Sequence, residues 1–429
     1  MSEGQRFVPR LRFPEFREAG NWKLVPLNQL ATRSKRKNRD EELERVLTNS
    51  AEFGVMDQRD YFDKDIATQG KLEGYSVVEL GDYVYNPRIS ATAPVGPISK
   101  NLVGTGVMSP LYTVFRFNEP NNDFYRHYFR TTGWHAYLRQ ASSTGARHDR
   151  MAVGSEDFMA MPLPVTSEPE QQKIADCLNS LDELIVAQVR KVGAIKTHKQ
   201  GLMQGLLPSA GKTQPRLRFA AFRRTGEWKT APLSEICTIK HGYAFESEFY
   251  SSKGNYVLLT PGNFNEHGGY RDRGDGQKHY VGEIPEGYVL NEGDLLVAMT
   301  EQAAGLLGSP ILVPASDRFL HNQRLGLVSG RSESPWSNSF FFHVFNTEYV
   351  RSAISANSSG AKVRHTSPGK IGEVVVSVPP SLLEQETIAV CLSSLDAMRA
   401  AEEQRLERLK TQKQGLMRHL FPATDAAAA

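Results

Sequence analysis

Residues 170–206 read EQQKIADCLNSLDELIVAQVRKVGAIKTHKQGLMQGL, and the prediction of the fold starts from them. Apolar side chains recur in this stretch at alternating spacings of four and three residues, which is the heptad pattern of a coiled coil. The apolar seam consists of Ile174, Leu178, Leu181, Ile185, Val192, Ile195, Leu202 and Leu206. The spacing predicts one long helix that ends before Pro208, because proline cannot continue a helix.

A second copy of this pattern occurs near the end of the chain, where residues 384–420 read EQETIAVCLSSLDAMRAAEEQRLERLKTQKQGLMRHL. Its apolar seam consists of Ile388, Leu392, Leu395, Leu406, Leu409, Leu416 and Leu420. Each helix would be about 55 Å long, too long for a small domain to cover its seam. We therefore expect the two helices to pack on each other antiparallel, the acidic start of one facing the basic end of the other. The alternatives are a seam between two copies of the chain, or two unrelated surface helices.

The repeat extends beyond the helices. Residues 9–13 and Trp22 return as residues 215–219 and Trp228, so the chain is a tandem duplication of residues 1–208 and 209–422. Between these marks, each half has short strand candidates and one aromatic-rich helix candidate, at residues 124–139 and 340–355. The predicted fold is α+β: two loop-rich α+β domains separated by two long antiparallel coiled-coil helices, in a pseudo-twofold tandem repeat.

The predicted boundaries follow from these marks. The first domain covers residues 1–169, the first helix 170–207, a linker 208–216, the second domain 217–383, the second helix 384–422 and a tail 423–429. We also expect residues 9–13 to lie near the end of the second helix, because their counterparts follow the end of the first.

Composition limits the function classes. Lys and Arg number 51 against 48 Asp and Glu, so a nucleic-acid surface must be a local patch rather than a basic face. Two of the three cysteines, Cys177 and Cys391, stand at equivalent helix positions and fit small buried side chains better than disulfides. The first residues, MSEGQRFVPR, lack the apolar core of a signal peptide, and no apolar run is long enough for a membrane, so we expect neither a signal peptide nor a membrane span. We expect a protein of the reducing cytoplasm.

Motifs for catalysis are incomplete. Residues 205–213 have one residue too many for a phosphate-binding loop, and they follow a helix rather than a strand. Residues 85–88, Tyr-Asn-Pro-Arg, resemble the Asn-Pro-Pro-aromatic motif of amino-methyltransferases but lack the second proline and the aromatic. A turn at a strand end is the simpler interpretation. No residue set has metal-ligand spacing, so we predict no catalytic residue and no metal ligand.

Basic loop segments are the candidate binding residues. Lys and Arg clusters neutralise phosphates, while amide and guanidinium groups read base edges. The alternative for each residue is an ordinary solvated charge. The predicted DNA-binding residues are Lys35, Arg36, Lys37, Arg88, Arg147, His148, Arg150, Lys240, Gln302, Gln323, Arg324, Lys362, Arg364 and His365.

These features together resemble the specificity (S) subunit of type I restriction-modification enzymes. Each variable domain opens with Trp-Lys-x-x-Pro-Leu, at residues 22–27 and 228–233. Each helix runs from Glu-Gln-x-x-Ile-Ala to Lys-Gln-Gly-Leu-Met. The resemblance covers residues 11–422, nearly the whole chain.

The resemblance implies a non-catalytic subunit with two target recognition domains, each reading one half of a bipartite asymmetric DNA sequence. It implies that the helices set the spacing between the half-sites and dock two methyltransferase subunits, which ATP-dependent restriction subunits join. No cofactor is expected on this chain, and S-adenosylmethionine, ATP and Mg²⁺ are expected on the partners. The alternative function is a DNA adenine methyltransferase with fused recognition domains.

Overall fold

The computed structural model describes residues 7–61, 72–142, 149–360 and 363–422. The chain divides into two compact units. Unit 1 consists of Met1–Val189 with Arg405–Ala429, and unit 2 is the intervening segment Arg190–Gln404. Each unit therefore contains one domain together with part of each long helix.

Short strands and helices make up the described part of unit 1. Its strands are β1 (Lys23–Pro26), β2 (Ala31–Arg33), β3 (Leu47–Ser50), β4 (Gly54–Asp57), β5 (Ser76–Val78), β6 (Tyr83–Tyr85), β7 (Ile98–Lys100), β8 (Gly106–Met108), β9 (Thr113–Phe117) and β10 (Pro162–Val165). Its helices are α1 (Leu27–Leu30), α2 (Gln58–Tyr61), α3 (Asp123–Tyr128), α4 (His135–Ala141), α5 (Ser155–Met159) and α6 (Glu168–Leu206), which continues into unit 2. One sheet has the antiparallel order β2-β9-β6-β7, and β1-β10, β3-β4 and β5-β8 form two-stranded pairs.

Unit 2 has a similar order of elements with an added sheet. Its strands are β11 (Lys229–Pro232), β12 (Cys237–His241), β13 (Tyr250–Ser251), β14 (Tyr256–Leu258), β15 (His279–Tyr280), β16 (Val289–Leu290), β17 (Leu295–Ala298), β18 (Pro310–Leu312), β19 (Phe319–Leu320), β20 (Leu325–Gly330) and β21 (Val375–Val378). Its helices are α7 (Leu233–Ile236), α8 (Asn338–Phe345), α9 (Glu348–Ala356), α10 (Pro368–Gly372) and α11 (Leu382–Leu420), which ends in unit 1. The sheets have the orders β12-β20-β17-β18 and β13-β15-β14-β19-β16, and β11 pairs with β21.

The predicted α+β class is confirmed, and the two units share an internal plan. Strand β1 pairs with β10 so that Lys23 faces Val165, and β11 pairs with β21 so that Lys229 faces Val378. The four-stranded sheets also have the same connectivity. Their central strands β6 and β17 are fully buried apolar runs, as expected for strands covered on both faces.

The long helices run antiparallel. In unit 2, Lys191 pairs with Glu402, and Lys199 Nζ lies 2.6 Å from Asp396 Oδ2, so the partner number falls as the residue number rises. In unit 1, Lys413 pairs with Asp182. Every apolar seam residue predicted from the heptads is buried or half-buried. The apolar seam is therefore covered within a single chain, and ion pairs between the two helices accompany it.

An arginine near the start of each domain ties it to the long helix that follows. The Arg12 guanidinium donates two hydrogen bonds to the buried Glu170 carboxylate, at 2.6 and 2.7 Å. Arg218 makes the same bidentate contact with Glu384. In unit 1 the Leu11 amide also donates to the His419 carbonyl at 2.9 Å, which places residues 9–13 beside the end of α11.

The prediction of one helix at residues 124–139 and one at residues 340–355 is wrong. Each is two helices, α3 with α4 and α8 with α9. In unit 2, the Thr347 side chain accepts a hydrogen bond from the Val350 amide and caps the second helix. Threonine favours this cap because its hydroxyl satisfies an amide that has no partner inside the helix.

A buried histidine joins the domain to a long helix in each unit. His127 Nε2 lies 2.8 Å from Asn179 Oδ1, and His343 Nε2 lies 3.0 Å from Ser393 Oγ. Burial lowers the pKa of His127 to about 4 and the pKa of His343 to about 3, with the nearby charge of Lys199 adding to the second shift. Both imidazoles are neutral in the folded protein near pH 7.

The His343→Gln variant tests the consequence for stability. Because the folded pKa lies below the unfolded value of about 6.5, protonation favours unfolding. The contribution is complete above pH 6.5 and is lost as the pH falls toward the folded pKa. Unfolding in urea between pH 7 and 5 should show that His343 contributes up to about 1.4 kcal/mol per pH unit to the fall in the free energy of unfolding of unit 2. Glutamine should remove this share, while His321, whose pKa burial also lowers to about 4, keeps its own share of the slope. Exposed His198→Gln should leave it unchanged, and an unchanged slope in both variants would contradict the assignment.

Candidate nucleic-acid interface

Four segments of unit 2 meet at one edge of the four-stranded sheet. The Met299 amide donates to the Arg324 carbonyl, and the Thr366 amide donates to the Met299 carbonyl, both at 2.9 Å. The Glu301 amide donates to the Arg364 carbonyl at 2.8 Å. Three of the segments thus carry predicted binding residues, which are Gln302, Gln323, Arg324, Arg364 and His365. All five of these residues are exposed.

The fourth segment follows β12 and packs against the turn before β20. The Gln323 amide donates to the Tyr243 carbonyl at 2.9 Å. A side chain at Gly242 would place its Cβ 2.1 Å from the Asn322 carbonyl oxygen, so only glycine allows this approach. Lys240 lies on the same strand, where its Nζ sits 4.4 Å from the Tyr288 ring centroid and donates to the Gly287 carbonyl.

The two arginines at this edge, Arg364 and Arg324, differ in the partners of their guanidinium groups. Arg364 Nε lies 2.8 Å from Glu301 Oε2, and its Nη1 donates to Ser355 Oγ. For Arg324, the structure of the described residues shows a backbone contact to Asn322 Oδ1 and no acceptor at the guanidinium. Arg324 is therefore better placed than Arg364 to contact a ligand directly.

Unit 1 has the equivalent edge after β6. Arg88 and Arg150 form an antiparallel bridge, and the Met151 amide donates to the Pro87 carbonyl at 2.9 Å. The pair corresponds to the bridge between Thr300 and His365 in unit 2. Both arginines line a polar cleft of about 370 Å³. The structure therefore brings together two predicted binding residues that are far apart in sequence.

The Asn-Pro segment of unit 1 is a turn at a strand end. Asn86 Nδ2 donates to the Asn49 carbonyl at 3.0 Å, and Asn86 Oδ1 accepts from the Arg88 amide at 3.0 Å. Both ends of the side-chain amide are thus used in holding the loop.

The stretch Lys35–Lys37 contacts a different strand pair. Arg36 Nη1 lies 2.6 Å from Glu79 Oε1, and Lys37 Nζ donates to Ser76 Oγ at 3.0 Å. Lys35 is exposed. No contact among the described residues joins these side chains to the cleft of Arg88. The predicted residues Arg147, His148 and Lys362 lie outside the described residues.

Residues 48–52, which line the cleft from β3 and the following turn, are not among the residues predicted from sequence. Neither is Tyr243, whose carbonyl accepts from the Gln323 amide at the edge of the sheet in unit 2. The signal for the turn was available, because Ser50 and Gly54 enclose three residues between two short apolar runs. Within the described residues there is no group of three His, Cys, Asp or Glu side chains that could hold a metal. Of the helices the structure describes, none could cross a membrane.

Known proteins resemble this chain in sequence and fold. Residues 225–411 match the family described as type I restriction modification DNA specificity domain. The type I restriction enzyme EcoBI specificity subunit of Escherichia coli is 30% identical over 184 residues, which are 42% of this chain and 35% of the relative. The MjaVIII specificity subunit of Methanocaldococcus jannaschii is 23% identical over 298 residues, covering 66% and 65%. The chain thus spans between about a third and two thirds of these relatives.

Solved structures share the fold along nearly the whole chain. The type I restriction-modification S subunit from M. genitalium superposes with a TM-score of 0.58 at 13% identity, covering 97% of this chain and 99% of that one. A chain from a study of complex assembly of the type I R-M system gives 0.53 at 17% identity, covering 94% and 98%. At these identities the likeness concerns the fold alone.

Proposed function

We propose that this chain, whose residues 225–411 match the type I restriction modification DNA specificity domain family, is the DNA-recognition subunit of a type I restriction-modification enzyme. Unit 1 reads one half of a bipartite asymmetric DNA target and unit 2 reads the other. The chain has no catalytic role of its own. The family match carries this proposal, because it covers the unit that presents Arg324 and Gln323 at one sheet edge.

The partners follow from the same proposal. Two methyltransferase subunits dock on the long helices, whose length sets the half-site spacing, and restriction subunits complete the enzyme in a prokaryotic cytoplasm. S-adenosylmethionine, ATP and Mg²⁺ are bound by those partners. Exposed apolar side chains on the helices support the docking surface: Leu184 on α6 is 51% exposed and Met398, its counterpart on α11, is 50% exposed.

The alternative, a methyltransferase with fused recognition domains, receives no support. The sequence relatives are specificity subunits. The Asn86 amide, which a methyltransferase motif would direct at the target base, is instead committed to the turn at Arg88 and to the Asn49 carbonyl.

Methylome sequencing tests the function. The chain and its methyltransferase subunits are expressed together in a host without other adenine methylation. We expect methylation at one bipartite motif with two specified halves and an unspecified spacer. Omitting this chain should abolish it. Methylation at a continuous motif, or methylation that persists without this chain, would contradict the proposal.

A substitution at Arg324 tests the interface in unit 2. Arg324→Gln removes a cation from the sheet edge, so the affinity for DNA should fall and the slope of log K against log salt should decrease by about one unit. Arg331 is a matched control, because it follows the other end of β20, about 20 Å away, where its Nε donates to the Ser234 carbonyl. Titration of the assembled methyltransferase at several salt concentrations gives both slopes. Equal slopes for the Arg324→Gln variant and the parent would show that Arg324 is a solvated surface charge that does not contact DNA.

A further inference from the structure

Strands β3 and β4 form a two-stranded ribbon within the described part of unit 1. The register pairs Leu47 with Asp57 and Ser50 with Gly54, so Ala51, Glu52 and Phe53 form the tip. All three tip residues are exposed, and the Phe53 ring is 62% exposed. An aromatic side chain of this size in solvent at the end of a ribbon leaves apolar area that a ligand could cover.

The tip has a fixed shape. Ser50 Oγ accepts hydrogen bonds from the amides of Glu52 and Phe53, at 3.2 and 3.3 Å. Gly54 closes the turn with a φ of +73°, a conformation that side-chain-bearing residues rarely adopt. The structure therefore presents Glu52 and Phe53 in a preformed arrangement, which lowers the entropy cost of binding through them.

The base of the ribbon is tied to the loop that carries the arginines. The buried Asn49 side chain donates to the Val84 and Pro97 carbonyls, at 2.8 and 3.2 Å. Asn86, two residues before Arg88, donates to the Asn49 carbonyl. Ribbon residues 48–52 line the same cleft as Arg88 and Arg150. A ligand that contacts the arginines thus meets the ribbon as well.

We infer that this ribbon enters the major groove of the half-site read by unit 1, where Glu52 accepts a hydrogen bond from a cytosine N4 amino group and Phe53 packs on a thymine methyl group. This inference rests on the proposed function. The major groove is about 12 Å wide and admits a two-stranded ribbon, whose strands lie about 4.8 Å apart. Arg88 and Arg150 contact the flanking phosphates.

The chemistry of the tip favours DNA bases over the backbone. A carboxylate beside phosphates is repelled, so Glu52 contributes only where it meets a donor. Of the two amino groups in the major groove, cytosine N4 suits a carboxylate better than adenine N6, which stands beside the N7 acceptor. Thymine alone among the bases presents a methyl group there, and an aromatic ring is one of its apolar partners. The two tip residues thus suit a pyrimidine-reading role.

The first test compares the methylomes of Glu52→Ala and Phe53→Ala in the assembled methyltransferase. Each should become degenerate at one position of one half-site, the same half-site for both, while the other half-site stays intact. Glu119→Gln and Leu80→Ala are matched controls, since Glu119 is exposed in unit 1 and Leu80 is 64% exposed. Both should methylate the parent motif.

Other outcomes separate this inference from the proposed function. If both tip variants keep the parent motif at full occupancy, the ribbon does not read bases although the recognition role stands. If they lose both half-sites together while remaining folded by thermal melting, the tip binds a partner protein rather than DNA. If the unsubstituted chain directs no bipartite methylation, the proposed function itself fails.

The second test removes the methyl group from the DNA. Replacing each thymine of the half-site by deoxyuridine should, at one position, lower the affinity of the parent protein about fivefold. The Phe53→Ala protein should bind thymine and deoxyuridine duplexes equally at that position. If both proteins lose affinity by the same factor at every position, Phe53 does not contact a thymine methyl.

Discussion

Replacing Arg218 by methionine is expected to lower the free energy of unfolding of unit 2 by about 3–5 kcal/mol. The Glu384 side chain is 1% exposed and receives two hydrogen bonds from Arg218, at 2.6 and 2.7 Å. Without the guanidinium, its charge stays buried with only the Trp228 N–H, at 3.2 Å, as its side-chain donor among the described residues. Hydrogen exchange measures unit 2 separately from unit 1.

Two controls separate the buried charge from the loss of a contact. The double variant Arg218→Met with Glu384→Gln removes both charges and keeps an acceptor for Trp228, so it should recover most of the loss. Arg399→Met breaks a partly exposed pair with Glu403 in unit 2, at 3.2 Å, and should cost less than about 1 kcal/mol. If Arg218→Met behaves like Arg399→Met, the pair does not anchor the domain.

Exchange of the second domain is expected to replace one complete half of the methylated sequence. Residues 217–383 from a relative bring their own recognition surface, while unit 1 and both long helices stay as they are. The methylome should show a new half-site beside the old one. This is the largest functional change that the proposed division of labour predicts.

The structure adds a condition to this experiment. The exchanged segment includes Arg218, whereas its partner Glu384 remains in the recipient, so the donor must supply an arginine at this position. A donor with leucine there serves as the control and should give an unstable chain. A stable chimera whose two half-sites both change would contradict the assignment of one half-site to each unit.

Local patterns predicted the helices well. The heptad spacing fixed which faces of α6 and α11 are covered, because coiled-coil packing depends on positions three and four residues apart. The acidic start and basic end of each helix predicted the antiparallel orientation. In unit 2 the contact of Lys199 with Asp396 shows this orientation. Such features depend on short-range periodicity, which a single sequence contains.

The interface could not be predicted in the same way. Arg88 meets Arg150, and Arg12 meets Glu170, only after the strands of unit 1 have paired. The residues around each member of these pairs do not indicate which distant residue it will contact. A short apolar run does not distinguish a helix from a strand either. Residues 158–165 predict a single strand, whereas their first part belongs to α5 (Ser155–Met159) and only Pro162–Val165 is a strand.

The core of unit 1 has a consequence for synthesis on the ribosome. Met417, Leu420 and Phe421 pack among its aromatic side chains, and the Phe421 ring lies 5.1 Å from that of Phe124. Unit 2 is one continuous segment and is complete in the nascent chain once Gln404 has emerged. The first domain to be translated is therefore the last to complete its core. A premature stop codon within the final turns of α11 would remove core side chains from the first domain and leave the core of the second intact.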